Sequence, residues 1–389
     1  MAETFDQQMG PLAGLRVLEF ESIGAAPFAG MLLADMGADV LLVDRMNAPA
    51  LGLESPRWSD TMLRGRRSIM LDLKTAGCLQ AALKLADKAD VLVEGFRPGV
   101  MERLGLGPDV LLPRNAKLVY GRMTGWGQTG PLAERAGHDI NYIALAGVLG
   151  AIGRAGEAPV PPLNLVGDFG GGMLLAFGIA CGVIEARRSG RGQVIDAAMV
   201  DSASLMTTMF AGMLTAGQWR DERGVNLLDT GAPWYDSYAT KDGRHVAIGA
   251  LEPKFYAVLI ERLGLAGQDL PAQHDRAHWP ELRERFAAAV RSKTRDEWCA
   301  VFDGADACFA PVLDFAEARA HPHNQARQRT IEVAGIEQPA PAPLFGRTPG
   351  AVRGGPPERG AGGREALVDW GFDAAAIERL AALGVGLAA

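Results

Sequence analysis

GLRVLEFESIGAAPFAGMLLADMGADVLLVDR, running from Gly14 to Arg45, is the stretch whose reading decides the fold. Leu15 to Phe20 and Asp39 to Asp44 are short runs rich in Val and Leu, the composition of strands covered on both faces. Between them, APFAGMLLADMGA has helical apolar spacing and reaches Gly37, where a left-handed backbone closes a helix at little cost. Strand, helix and strand in this order make a βαβ unit with parallel strands.

Working outward, the alternation continues. SIMLDL (Ser68 to Leu73), DVLVEG (Asp90 to Gly95) and KLVYGR (Lys117 to Arg122) read as strands, and AGCLQAALKLADKA (Ala76 to Ala89) reads as a crossover helix. The expected fold class is therefore α/β, a large Rossmann-like domain around a parallel sheet. In such sheets ligands gather beyond the carboxyl ends of the strands, which directs attention to the segments after Phe20, Asp44, Leu73, Gly95 and Arg122.

Farther along, one long apolar helix is expected from Asp168 to about Gly190. Its most apolar part, Gly172 to Ile184, is too short to span a bilayer and is followed by EARRSGR, so it reads as buried. A QVIDAAM strand and a helix from Met199 to Leu214 come next. The segment around Gly224 to Pro233 reads as a linker, and SYATKDGRHVAIGA as a hairpin turning over Lys241 to Arg244, because Asp-Gly supplies the positive-φ positions of a tight turn. A smaller α+β domain follows, and the Pro/Gly-rich tract from Pro339 to Gly363 suits an extended return. The expected organisation is 1–215 large α/β domain, 216–233 linker, 234–330 small α+β domain, and 331–389 return segment and tail packing on the large domain.

A chain of 389 residues that is 48% hydrophobic has enough apolar side chain for more than one core. Its formal charge of −7 argues against a nucleic-acid binder, so any anionic ligand must meet local basic clusters. Cys78, Cys181, Cys299 and Cys308 are scattered without a CxxC pair, which suggests no zinc site and suits a reducing cytoplasm. The opening MAETFDQQMGPLAG lacks the basic and apolar regions of a secretory signal.

The first strand is followed by ESIGAAPFAG, which does not supply the G-x-G-x-x-G spacing of a dinucleotide site. Arg45 stands instead after the second strand, where a cation suits a phosphorylated ribose. Arg64, Arg66 and Arg67 before the third strand, Lys74 after it, and Arg97 and Arg103 after the fourth suit a polyphosphate, or else are solvated surface cations. In AGHDINYIALAG, His138 and Asp139 precede an apolar helical run, so Asp139 is a candidate N-cap and its N–H a candidate oxyanion donor. In PPLNLVGDFGGGM, Asn164 and Asp168 lie four apart before a glycine-rich helix start, where Asp168 is either a site carboxylate or an N-cap. Glu252 is an ordinary strand-end carboxylate, or orients a histidine. Met199, Met206, Met209 and Met213 fall at helical spacing, as core packing or as a flexible surface for ligands of varied shape. There is no GxSxG elbow, HExxH or P-loop to support hydrolase, zinc protease or NTPase readings.

Taken together, GLRVLEF, LLADMGADVLLVDR, EGFRPGVMERLGLG, YGRMTGWGQTGP, AGHDINY and PPLNLVGDFGGGM resemble the family III CoA-transferase superfamily from about Gly10 to Phe345, and within it the α-methylacyl-CoA racemases. The resemblance implies an interlocked homodimer, CoA bound by the large domain, and an active site where the large domain of one subunit meets the small domain of the other. It implies that Arg45, Leu71, Asp72, Leu73, Lys74, Gly95, Phe96, Arg97, Arg103 and Tyr142 contact CoA. It makes His138 and Asp168 the two acid–base residues, with Asn164 supporting Asp168 and Glu252 of the neighbouring chain supporting His138. An acyl-CoA is then the substrate and its CoA the handle, with no metal, separate cofactor, nucleic acid or membrane required. The alternatives are a CoA transferase in which Asp168 attacks the thioester, and a non-catalytic acyl-CoA-binding protein. Branched fatty acids, sterol side chains and 2-arylpropionates all remain open as acyl groups.

Overall fold

The computed structural model of the protein describes residues 10–47 and 55–388. The reading of the amino terminus as free of a secretory signal falls mostly on residues 1–9, outside the described ones. The chain forms two compact units: Met1–Ala146 with Leu163–Leu205 and His323–Ala389, and Gly147–Pro162 with Met206–Pro322. The expected large domain therefore gives up 147–162 to the second unit, which also begins earlier, at Met206.

Six strands form the sheet of the first unit: β1 Arg16–Phe20, β2 Asp39–Asp44, β3 Arg67–Met70, β4 Val91–Glu94, β5 Val119–Thr124 and β6 Val194–Ala198. Their order is β3-β2-β1-β4-β5-β6 and every pairing is parallel. The strand order reverses between β1 and β4, so the crevice for a ligand opens at the carboxyl ends of those two strands. Alternation along β1 sends Leu18 and Phe20 to one face and Val17 to the other. On the first face they pack with helix Ala76–Ala86, and on the second Val17 meets helices Ala25–Asp35 and Gly170–Ser189.

Helix Gly170–Ser189 buries Leu175, Ile179 and Val183 against the sheet, each worth about 1.5–3 kcal/mol when fully buried. The α-helix itself starts two residues later than expected, but a π-helical turn, Leu165–Phe169, precedes it and makes the whole run longer. The continuous 25-residue run is long and apolar enough in composition to cross a membrane, unlike its thirteen most apolar residues, Gly172 to Ile184, taken alone. Leu165, Met173, Phe177 and Ile184 are its exposed large apolar positions. The single helix expected over Met199 to Leu214 is two, Met199–Met206 and Thr208–Thr215.

The second unit holds the expected hairpin, β7 Tyr235–Ala239 against β8 His245–Gly249, extended by β9 Phe309–Pro311. Gly243 at φ 76° makes its turn. Trp234, Trp279, Phe286 and Trp298 fill its core.

The carboxyl-terminal return carries a hairpin not read from the sequence, β10 Thr330–Val333 with β11 Ile336–Pro339, turning at Ala334 and Gly335, both at positive φ. After an irregular tract, helices Gly363–Asp369 and Ala374–Ala382 bring Leu367, Trp370, Ile377 and Leu380 into the core of the first unit.

Candidate active site

A cleft of about 730 Å³ opens beyond the carboxyl ends of β1 to β4. Eight of the ten residues expected to contact CoA line it: Arg45, Leu71, Asp72, Leu73, Lys74, Gly95, Phe96 and Arg97. The loop after β4 is held from beneath. Glu94 is buried, accepts from the Phe96 N–H at 2.7 Å and from Arg122 Nε at 2.8 Å, and Arg122 reaches on to Glu102 at 2.7 Å. Burial pushes the Glu94 carboxyl up while these donors pull it back. Opposite, the Arg45 guanidinium lies 5.9 Å from the centre of the Phe96 ring.

Two of the ten lie elsewhere. Arg103 closes the short helix Val100–Arg103, beside Gly99, and is not among the cleft's lining residues. Tyr142 is buried, its hydroxyl donating to Gly137 O and its ring meeting Trp126 edge-on at 4.7 Å. Burial, then the charge of Asp168, push its phenol up to about 12, and Arg97 opposes them. Tyr142 thus lies close enough to both Arg97 and Asp168 to feel their charges.

The arginines before β3 take structural roles. Arg64 pairs with Asp35 at 2.6 Å, Arg66 with the fully buried Glu19 at 2.7 Å, and Arg67 with Asp39 at 2.7 Å. They are neither polyphosphate ligands nor solvated cations, because the acceptors they complete lie in β1, in β2 and in the helix between them. The acceptors Glu19 and Asp35 stand in apolar runs where the sequence shows nothing to neutralise.

His138, not Asp139, is the N-cap of helix Asp139–Leu145. Its backbone N–H donates to Asn141 Oδ1 at 3.0 Å, and the residue is exposed. Asp139 is the first helical residue, so its N–H has no intrahelical acceptor. Its buried carboxylate accepts from the Asp168 N–H at 2.8 Å. Asp168 does not cap a helix: it sits inside the π-helical turn, and Phe169 caps helix Gly170–Ser189. Asn164 Nδ2 donates to Asp168 Oδ2 at 3.1 Å. A Cβ on Gly24, itself at φ 70°, would come within 3.2 Å of the same oxygen, so the start of helix Ala25–Asp35 brings bare backbone against the carboxylate.

Burial raises the Asp168 carboxyl above the ordinary aspartate range. The Asn164 hydrogen bond opposes this, Asp139 adds to it, and His138 is close enough for its charge to lower it. The structure thus brings His138, Asp139, Asn164 and Asp168 together in the first unit. Glu252 is exposed in the second, at the N-cap of helix Pro253–Arg262. The four methionines do not form one helical face: Met199 packs on Gly171, whereas Met206 and Met209 are exposed on either side of the break at Thr207.

Sequence reasoning missed three residues around the cleft. Glu21, next after β1, lines it, while Arg57 and Arg359 bind carboxylates at its wall. The position of Glu21 at a strand end was a usable signal. Arg359 had none, since it stands in the Pro/Gly tract.

Residues 12–362 match the model of CoA-transferase family III. The chain is 47% identical over 340 residues to the α-methylacyl-CoA racemase of Mus musculus and 45% identical over 343 residues to that of Homo sapiens, in each case covering 87% of both chains. Among solved structures it is similar to a CAIB/BAIF family protein from Brucella suis, with a TM-score of 0.80 and 25% identity, covering 93% of this chain and 100% of that one.

Proposed function

The chain belongs to CoA-transferase family III, and from that premise we propose that it is an acyl-CoA racemase, interconverting (2R)- and (2S)-2-methylacyl-CoA thioesters. The observation that carries this reading is the pairing of an exposed imidazole, His138, with a carboxyl, Asp168, whose proton affinity burial has raised. A group that must accept a proton from carbon and return one works best when its pKa is drawn toward the working pH. Inversion further requires two such groups, because the proton leaves one face of the α-carbon and another arrives on the opposite face.

In one direction neutral His138 takes the α-proton, the C–H electron pair moves into the thioester carbonyl to give an enolate, and protonated Asp168 delivers its proton to the other face. In the reverse direction carboxylate Asp168 removes the proton and protonated His138 supplies one. The enolate oxygen is assigned to the free Asp139 N–H at the helix start, a kind of donor worth about 3 kcal/mol in known oxyanion holes. Asn164 orients Asp168. The 730 Å³ cleft, with Arg45, Lys74 and Arg97, is assigned to the nucleotide of CoA, whose remote binding energy positions the reacting carbon. Only a proton changes place, so the step calls on no separate cofactor. The roles of Arg103 and Tyr142 in CoA binding, of Glu252 in supporting His138, the interlocked homodimer and the cytoplasmic location belong to the same reading and rest on the resemblance.

The family's name keeps one rival in view, a transferase in which Asp168 attacks the thioester carbonyl and expels CoA to form a mixed anhydride. The experiment that separates them is incubation of either enantiomer of a 2-methylacyl-CoA in D₂O without an acceptor acid. Deuterium should enter the α-position from both enantiomers. No exchange, with CoA passing to an added carboxylic acid through an anhydride trapped at Asp168, would falsify the racemase reading.

A further inference from the structure

The proposed CoA cleft contains three carboxylates, Glu21, Asp44 and Asp72, alongside its three cations, Arg45, Lys74 and Arg97. A surface meant for a polyphosphate gains nothing from uncompensated anions. The compensation comes from far along the chain. Arg359 Nη2 donates to Glu21 Oε1 at 2.6 Å, and Nη1 to Glu21 Oε2 at 3.0 Å, to Asp44 Oδ1 at 3.3 Å and to the carbonyl of Arg45 at 2.9 Å. The Arg45 N–H in turn donates to Glu21 Oε2 at 2.8 Å. Arg45 is therefore held on both sides of its peptide by the Arg359–Glu21 pair. Next in the chain, the Gly360 N–H donates to Ser68 Oγ at 2.8 Å, and that hydroxyl donates to Asp44 Oδ2 at 2.5 Å, which pins the tract to the end of β2.

Resting on the acyl-CoA reading, we propose that Arg359 is a positioning residue for phosphate recognition. Its guanidinium offsets the charge of Glu21, so that the cleft presents a net attraction to the phosphates of CoA. Glu21 is the group that depends on it most. Asp44 has a second partner in Arg57, at 2.6 Å, whereas the described side-chain partner of Glu21 is Arg359. Burial alone would raise the Glu21 carboxyl, yet Arg359 and the Arg45 N–H hold it below the usual glutamate range. Glu21 is thus ionised beside Arg359, and with Arg359 gone only the Arg45 N–H among its described donors would be left to offset its charge in the cleft.

The test is calorimetric titration of coenzyme A into the full chain and its variants at low salt, where such charges act most strongly. Arg359→Gln should weaken binding about tenfold, a plausible effect for one unscreened like charge beside a polyanion. Arg359→Lys should recover most of the loss. The decisive variant is Glu21→Gln with Arg359→Gln, which removes both charges while leaving an oxygen to accept from the Arg45 N–H. It should bind within about threefold of wild type. Arg359→Gln binding as tightly as wild type would overturn the proposal. So would a double variant as weak as the single one, since the tract would then be acting as a strut and not through charge. Should Arg359→Gln fail to fold, Glu21→Gln alone decides: it should bind CoA at least as tightly as wild type, and weaker binding overturns the idea. A wild-type protein with no affinity for CoA is a different result, which sinks the acyl-CoA reading itself.

Discussion

The Asp168 backbone N–H donates to the buried Asp139 carboxylate at 2.8 Å, so the residue that opens one helix fixes the π-helical turn carrying the proposed acid–base carboxyl. The second Asp139 oxygen is buried without a protein partner. Asp139→Ala should therefore lower kcat by roughly tenfold to a hundredfold, the loss of about 1.5–3 kcal/mol for a hydrogen bond to a charged group, while the Kd for CoA stays near wild type. Gly167→Ala tests the same link from the other side, because its Cβ would overlap Asp139 Oδ1. If the two act on one contact, combining them should cost little more than either alone, and fully additive losses in steady-state kinetics would show that they do not.

Removing either proton carrier gives a sharper test. With His138→Ala or Asp168→Ala, interconversion of enantiomers should fall by at least roughly a thousandfold, the upper range of a positioned acid or base. CoA binding should change little, because neither side chain lines the nucleotide cleft. Chiral chromatography of the product with a CoA titration checks both halves. An unchanged rate for His138→Ala would make His138 a structural residue and not a proton carrier.

What was legible in the sequence follows from how local its physical signal is. The strands announced themselves because each is a short apolar run between polar ends, and β1, β2, β4 and β5 lie within two residues of where they were expected. The cleft residues Arg45, Lys74 and Arg97 were legible because a parallel sheet puts ligands at one end of its strands. Arg64, Arg66 and Arg67 were misread because a charge beside a strand looks the same whether its partner is a phosphate or a buried carboxylate, and that partner lies 28 to 47 residues away in the chain. Asp168 looked like a possible helix cap because a π-helical turn leaves no compositional mark. Arg359 was invisible because its meaning lies wholly in contacts that the Pro/Gly tract closes across more than 300 residues.

The carboxyl-terminal helices belong to the large unit's core and are not an appendage. Trp370 is fully buried and its indole N–H donates to Asp39 Oδ2 at 2.8 Å, tying the tail to the first residue of β2. Trp370→Ala should cost about 3–5 kcal/mol, the range for deleting a buried tryptophan side chain. In a unit of this size the thermal midpoint should drop by roughly 10 °C. A differential scan showing a shift of only a degree or two would mean that the tail packs loosely.

The Asp168 environment also fixes the sign of a pH effect. Burial raises its carboxyl, so the protonated form persists to higher pH than for an ordinary aspartate, and the direction that uses the carboxylate as base should lose activity as pH falls through that raised value. Asn164 opposes the shift by donating to the charged form at 3.1 Å. Asn164→Leu removes that donor without adding a charge, so the acidic limb of kcat/KM for that enantiomer should move to higher pH. The limb for the opposite enantiomer, which needs Asp168 protonated, should extend to higher pH on its alkaline side. Deuterium wash-in followed separately from each enantiomer across pH 4 to 9 reads both limbs, and a shift toward lower pH, or none, would mean that Asn164 does not stabilise the Asp168 carboxylate.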